Sequence, residues 1–134
     1  MKIFIAYKFT GEDIDELNIT LKKISAKLES FNLETFCSRF LEDWFRKNNY
    51  SKESIYQYAL KQMIDVDLIL FFIRSGKPSH GMKLELDKAI ELKKKKILFI
   101  KKELKFPEFR KVADQIIEFN DLDKDLDKLN SLKL

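Results

Sequence analysis

Short apolar runs alternate along the 134-residue chain with stretches in which apolar residues recur every three or four positions. The short runs predict β-strands, and the wider spacing predicts amphipathic helices. The run DLILFFI (67–73) is apolar almost throughout, which is typical of a central parallel strand buried on both faces. The other predicted strands are KIFIAY (2–7), LETFC (33–37), KILFIK (96–101) and QIIEF (115–119).

Helices are predicted between these strands. Four residues mark one face of the first helix, which is predicted to end near Asn32: Leu17, Leu21, Ile24 and Leu28. Ser51 is predicted to cap the next helix, over 51–66. The segment 38–50 fits neither period and is predicted to be a loop with one helical turn. The remaining helices are predicted at 81–94, 106–113 and 122–129.

Five strands separated by helices, with no repeat and no linker, predict a single domain over residues 1–134. This alternation is typical of a doubly wound parallel sheet, an α/β fold with three layers. In such sheets ligands bind at the carboxyl ends of the strands, where the strand order reverses. We therefore expect the loops after the first and second strands and the turn after the third to form the site.

The composition narrows the possible partners. The net charge is +4, and it comes from 22 Lys and only 4 Arg. Specific readers of nucleic acids depend on Arg for bidentate contacts, so no nucleic-acid polymer is expected as a partner. The run Lys93–Lys96 is either the charged end of a helix, which we favour, or a nucleic-acid patch.

The sequence also predicts the compartment. The longest apolar stretch, 68–73, is much shorter than the ~20 residues of a membrane span, and no signal segment precedes the first strand. A single cysteine, Cys37, excludes an internal disulfide and agrees with a reducing compartment. One His and one Cys do not supply the usual metal ligands. We expect a soluble cytoplasmic protein without a membrane partner or a metal.

Two turns offer backbone amides and hydroxyls to an anion. In AYKFTGED (6–13), Lys8, Thr10 and Gly11 suit an anion, although a plain turn capped by Asp13 explains the spacing better. In PSHGM (78–82), Ser79 and Gly81 fit a phosphate at a helix N-terminus, and a plain serine cap explains the pattern equally well.

Glu85 is the carboxylate nearest to this second turn. From its spacing alone it is either a favourable first-turn acid or a nucleophile at the border of the buried face. His80 is interpreted as a solvent-facing turn residue, and Cys37 as a buried thiol. Three aromatic residues belong either to the core or to a slot for a flat ring: Phe40, Trp44 and Phe45.

A family resemblance is carried by two stretches. PSHGMKLELDKAI (78–90), followed by KKKKILFI (93–100), resembles the Pro-Ser-x-Gly-x-x-x-Glu-Leu-x-x-Ala signature of the nucleoside 2-deoxyribosyltransferase superfamily. The pattern is most similar to its 2'-deoxynucleoside 5'-phosphate N-hydrolase branch. The opening MKIFIAYKFTGED (1–13) resembles the first strand and loop of that superfamily, so the likeness spans roughly residues 1–101.

The resemblance implies a function and a site. It implies a flavodoxin-like, Rossmann-like strand order 2-1-3-4-5 and cleavage or transfer at the N-glycosidic bond of a deoxyribonucleotide or deoxyribonucleoside. The role of the nucleophile that attacks C1' falls on Glu85, as in retaining glycosidases. No cofactor is needed, the partner is a small-molecule substrate, and a homodimer is implied. The implied substrate-binding residues are Tyr7, Lys8, Phe9, Thr10, Gly11, Ser79 and Gly81.

One position departs from the family pattern. The family carries an Asp in the helix before the third strand, and Ala59 aligns with it. Tyr58, beside Ala59, is assigned to catalysis in its place. Tyr56 and an acid from 38–50 such as Asp43 are the alternatives.

Two other functions stay open. TIR domains share the flavodoxin-like arrangement, an opening similar to IFIAY and a catalytic Glu in the corresponding helix, which implies a TIR-like NAD glycohydrolase. The missing Asp favours a third possibility, a non-catalytic nucleotide-binding or interaction module on the same scaffold.

Overall fold

The computed structural model describes residues 1–77 and 79–134, and its centre is an all-parallel sheet of five strands. The strand order is 2-1-3-4-5, so the predicted fold class and order are confirmed. Pro78, part of the sequence motif, lies outside the described residues. The strands are β1 (Lys2–Tyr7), β2 (Glu34–Phe36), β3 (Leu68–Ile73), β4 (Lys95–Lys101) and β5 (Gln115–Phe119).

Strand β3 is the centre of the core, since all six of its residues are buried. Successive side chains of a strand point to opposite faces, and β3 divides accordingly. Leu68, Leu70 and Phe72 pack in one cluster, and Ile69, Phe71 and Ile73 pack in the other.

In the described residues, six α-helices and two 3₁₀ segments surround the sheet. One face is covered by the helix over 14–29 and the C-terminal helical turns, and the other by the helices over 52–65, 80–91 and 107–112. The helices are α1 (Ile14–Glu29), α2 (Glu42–Lys47), α3 (Lys52–Asp65), α4 (His80–Glu91), α5 (Pro107–Val112) and α6 (Leu122–Asp125). The 3₁₀ segments are Ser38–Leu41 and Leu126–Ser131. In the described part of the chain, no helix combines the length and the apolar character that crossing a membrane requires.

Side-chain caps set the starts of four helices. Asp13, Ser51, Ser79 and Asp121 accept hydrogen bonds from the backbone N–H of the residue three positions later. Such caps satisfy amides that have no partner within the helix. The predicted caps are therefore confirmed, and Ser79 is both a cap and a candidate site residue.

The prediction of a loop over 38–50 is wrong. This segment begins with a 3₁₀ segment, which α2 follows directly. Phe45 is buried, whereas Phe40 and Trp44 are exposed. A helix of six residues shows too few turns for a hydrophobic period. Pairs of charged side chains three or four residues apart support it instead. They join Arg39 and Arg46 to Glu42, and Arg46 to Asp43.

The single closing helix predicted over 122–129 is also wrong. It is one α-helical turn, α6, followed by the 3₁₀ segment Leu126–Ser131. Leu129 is fully buried, and Leu122 and Leu126 pack partly against the core. The apolar spacing is therefore correct although the helix type differs.

The basic run Lys93–Lys96 lies at the amino end of β4, away from the carboxyl edge of the sheet. The Nζ of Lys94 donates to the backbone carbonyls of Ile64 (2.9 Å) and Val66 (2.8 Å) at the end of α3. The Nζ of Lys96 lies 3.5 Å from the carboxylate of Asp114. Lys94 and Lys96 therefore bind carbonyls and a carboxylate of the scaffold. The run is not the end of a helix, since Lys93 and Lys94 follow α4 and Lys95 and Lys96 belong to β4.

The loop after β1 is attached to the end of β3 by a half-buried ion pair. The Nε of Arg74 lies 2.5 Å from a carboxylate oxygen of Glu12, whose side chain is only 5% exposed. The hydroxyl of Ser75 donates to the other oxygen, and Arg74 also donates to the hydroxyl of Thr20 at 3.0 Å. This network fixes the first loop against β3.

We expect Glu12→Ala to lower the free energy of unfolding by about 3 kcal/mol, because it leaves the Arg74 guanidinium without its carboxylate. The control Asp123→Ala removes an exposed pair with Lys23 and costs less than about 1 kcal/mol. Urea denaturation measures both losses, provided that the slope of the free energy of unfolding against urea concentration is unchanged. Equal, small losses would show that the Glu12 network does not stabilise the loop.

Candidate active site

A cavity of about 360 Å³ opens at the carboxyl end of the sheet, beside the ends of β1 and β3. This is where the strand order reverses, the place at which doubly wound sheets bind ligands. Four segments line it: the end of β1 with its loop, the 3₁₀ segment after β2, α3, and the start of α4. The lining residues are Tyr7, Phe9, Thr10, Ser38, Arg39, Lys52, Ile55, Tyr56, Ala59, Ser79, Gly81, Met82 and Glu85.

Glu85 lies on α4 with its side chain half-buried in this cavity. Because α4 begins at His80, Glu85 belongs to the second turn, and α4 has no acidic residue in its first turn. The helix dipole acts chiefly within the first turn, so a simple dipole partner does not explain this acid.

Burial raises the pKa of Glu85 from 4.5 to about 8. Within residues 1–77 and 79–134, no cation or hydrogen-bond donor offsets this effect. A carboxyl group that loses hydration without gaining a partner holds its proton more tightly. Glu85 is therefore mostly protonated at neutral pH.

Tyr7, at the end of β1, has its hydroxyl 3.0 Å from the hydroxyl of Ser38. Burial raises the pKa of Tyr7 above its ordinary value, and the nearby Cys37 and Glu85 raise it further. Burial likewise raises the pKa of the Cys37 thiol to about 12. Tyr7 is therefore a neutral hydroxyl beside Glu85, and Cys37 is the buried, inert thiol that was predicted.

Arg39 carries a positive charge at the wall of the cavity. Its Nε donates to the Asn18 side chain at 2.8 Å, and its guanidinium also pairs with Glu42. The guanidinium carbon lies 5.1 Å from the centroid of the Phe9 ring, within the range of a cation–π contact. These contacts hold Arg39 and Phe9 together in one orientation.

Gly81 allows α3 and α4 to approach closely. A Cβ added to Gly81 would lie 2.7 Å from both the Cε1 and the hydroxyl oxygen of Tyr56. Any larger residue at this position would displace the Tyr56 ring. The glycine of the motif therefore makes room for a phenol.

The cavity brings together most of the predicted site residues: Tyr7, Phe9, Thr10, Ser79, Gly81 and Glu85. Lys8 and Gly11 do not line it. The Nζ of Lys8 donates to the Thr10 carbonyl at 2.7 Å and would lie 3.6 Å from a Cβ on Gly11, so it holds the loop. Gly11 has φ +81°, which a residue with a side chain rarely adopts.

Tyr58 is not among the residues that line the cavity with Glu85. Its ring contacts an aromatic cluster between α2 and α3, where the centroids of Phe45, Trp44 and Tyr50 lie 5.4, 5.6 and 6.2 Å from it.

Asp43, the other alternative, has an 86% exposed side chain that pairs with Arg46. Neither side chain is brought to Glu85.

Sequence reasoning missed several residues of the cavity. Ser38 and Arg39 directly follow β2, so the rule that ligands bind after parallel strands points to them once the strand is placed. Lys52 on α3 was also missed. It faces the cavity with Tyr56, which the sequence offered as an alternative to Tyr58, and with Ala59, at a spacing of i, i+4 and i+7. Among the described residues, no group of three or more His, Cys, Asp or Glu is placed to hold a metal ion.

Comparison with known proteins gives the fold. The CMP N-glycosidase BcmB of Clostridium botulinum superposes with a TM-score of 0.71 over 97% of this chain and 98% of its own, at 16% identity. A 2-deoxyribosyltransferase of Bacillus psychrosaccharolyticus also gives 0.71, over 100% of this chain and 93% of its own, at 18% identity. No family model and no curated protein sequence matches. The resemblance to the nucleoside 2-deoxyribosyltransferase superfamily is thus confirmed at the level of the fold.

The raised pKa of Glu85 predicts how stability depends on pH. Between pH 4.5 and about 8 the folded protein keeps a proton on Glu85 that the unfolded chain releases, so stability falls as pH rises. Glu85→Gln removes this effect. We expect the variant to match wild type below pH 4.5 and to exceed it by about 2–4 kcal/mol above pH 8.

Urea denaturation of both proteins across this pH range measures the difference. Asp87→Asn, at an exposed acid two residues further along α4, is the matched control and should show no such divergence. A constant difference between wild type and Glu85→Gln at every pH would contradict the burial of the carboxyl group.

Proposed function

We propose that this chain is an enzyme that cleaves or transfers at the N-glycosidic bond of a deoxyribonucleotide or deoxyribonucleoside, with Glu85 as the nucleophile. The observation that carries the proposal is the half-buried carboxyl group of Glu85 in a cavity at the switch point of the sheet. The two neighbours named for an N-glycosidase and a deoxyribosyltransferase, together with the sequence motif around Glu85, support this reaction class.

The first step is attack of a Glu85 oxygen on C1' of the sugar. The bond from C1' to the base nitrogen breaks, its electron pair leaves with the base, and a covalent glycosyl ester forms. The sugar becomes cationic in the transition state, and a poorly solvated carboxylate stabilises that cation more strongly than a carboxylate in water does.

The second step frees Glu85. Water, or a second base in a transfer reaction, attacks C1' from the side that the first base has left, and the carboxylate departs. Water gives hydrolysis and a second base gives transfer. The same cavity therefore serves both reactions, and access of the acceptor decides between them.

The charges of the cavity favour a substrate with an anionic group. Arg39 and Lys52 both line it, and Ser79 and Gly81 stand at the N-terminus of α4. Cationic side chains and helix N-termini bind phosphate. We therefore propose that a 5'-phosphate lies between the start of α4 and these two cations, which favours nucleotides over nucleosides.

The assay is release of free base, measured by chromatography. Deoxynucleoside 5'-monophosphates, deoxynucleosides, CMP and NAD are each incubated with wild type, Glu85→Gln and the control Asp87→Asn. We expect base from the deoxynucleotides, a loss of at least about 10³-fold in Glu85→Gln because no nucleophile remains, and full activity in Asp87→Asn.

Each other outcome has a meaning. Release from NAD alone would replace this proposal with the TIR-like alternative, and no release from any substrate would leave the non-catalytic binding module. Release that persists in Glu85→Gln would remove Glu85 from the role of nucleophile. Homodimerisation and a cytoplasmic location stay predictions.

The pH dependence of kcat/KM separates two roles for Glu85. A nucleophile must be ionised, so kcat/KM should rise with pH and level off above about 8, the pKa of Glu85 in the free protein. If Glu85 instead protonated the departing base, kcat/KM would fall across the same range. Initial rates at substrate concentrations below KM, from pH 5.5 to 9.5, distinguish the two slopes.

A further inference from the structure

The wall of the cavity formed by α3 contains one half-buried hydroxyl, that of Tyr56. The other α3 residues in this wall are Lys52, which is exposed, and Ile55 and Ala59, which carry no proton donor. The position at which the resemblance implies a carboxylate is therefore occupied by the methyl group of Ala59. Tyr56 lies one helical turn before it on the same face of α3.

The position of Tyr56 relative to Glu85 follows from its contact with Gly81. The Tyr56 hydroxyl oxygen lies 2.7 Å from the place of a Gly81 Cβ. Glu85 is four residues beyond Gly81 on α4, one turn or about 6 Å along the axis. The phenol therefore enters the cavity beside the first turn of α4, and the residue that carries the carboxyl group lies one turn further along the same helix.

Three of the other hydroxyls that line the cavity make hydrogen bonds within the protein. Those of Tyr7 and Ser38 lie 3.0 Å from each other, and that of Ser79 accepts from the Met82 N–H at 3.2 Å. Arg39 is held by Asn18 and Glu42. Tyr56 is the half-buried hydroxyl on the α3 side of the cavity, next to the position at which the resemblance implies a carboxylate.

We propose that the Tyr56 hydroxyl is the proton donor to the departing base, a role that rests on the proposed N-glycosidic reaction. As the bond from C1' to the base breaks, the base gains an electron pair and takes the phenolic proton. In the second step the phenolate removes a proton from the attacking water, and the resulting hydroxide oxygen bonds to C1'. Glu85 and Tyr56 both return to their starting states, and one water is consumed.

A phenol supplies the proton that this step needs. Phenols keep their proton at a pH at which most carboxylic acids have lost theirs. The nucleophile and the donor must hold opposite protonation states at the same time, and a carboxylate paired with a phenol satisfies this without a second acid. Tyr56 thus takes this role beside the position at which the resemblance implies an aspartate.

The test measures Tyr56→Phe on two substrates. One is a deoxynucleotide with a natural base, and the other is the 4-nitrophenyl glycoside of the same sugar phosphate, whose leaving group needs no proton. We expect kcat/KM to fall about 100-fold on the first and less than about 3-fold on the second. A merely structural role for Tyr56 would lower both values equally.

Two further tyrosines complete the design. Tyr50→Phe removes a hydroxyl from the aromatic cluster outside the cavity and is the matched control, expected to equal wild type on both substrates. Tyr58→Phe tests the rival residue. If Tyr58→Phe shows the leaving-group dependence and Tyr56→Phe does not, the proposal is overturned in favour of Tyr58.

The remaining outcomes are also decisive. If Tyr56→Phe loses equal activity on both substrates, or loses none, Tyr56 is not the proton donor. The proposed function still stands in that case, provided that wild type releases base. No release by wild type overturns the proposed function and this role with it. If Tyr56→Phe fails to fold, Gly81→Ala displaces the phenol instead and must show the same dependence on the leaving group.

Discussion

Burial of β3 on both faces is the constraint on which the site depends. Because every side chain of this strand is buried, helices must cover both faces of the sheet at its centre. On one face α3 and α4, the helices before and after β3, pack side by side. Their approach at Gly81 leaves Tyr56 and Glu85 in a single cavity. The packing of the core thereby determines which side chains can meet a ligand.

The same cavity imposes a conflict between stability and chemistry. Burial without a counter-ion makes the charged form of Glu85 unfavourable, as its pKa of about 8 shows. The charged form is the one that a nucleophile needs, and it becomes favourable when a cationic sugar forms beside it. Functional sites often retain such locally unfavourable groups because the rest of the fold supports them.

Much of the fold was predictable because β3 and α1 have strong hydrophobic patterns, and the caps at Ser51 and Ser79 have clear chemistry. The helix α2 was not predictable, because its six residues are held by charge pairs and are too few to show a hydrophobic period. Within the site, Glu85 followed from the motif. The choice between Tyr56 and Tyr58 could not be made from the sequence. It depends on which face of α3 meets α4, and only the packing of the helices determines that.

The proposed mechanism requires a covalent bond between Glu85 and the sugar. Wild-type protein incubated with a deoxynucleotide fluorinated at C2', which slows the release of the sugar, should gain the mass of one sugar phosphate in an acid-quenched mass spectrum. After digestion with trypsin, the added mass should lie on Glu85 within the peptide 84–88. Base release without any adduct, or an adduct on another residue, would contradict the account.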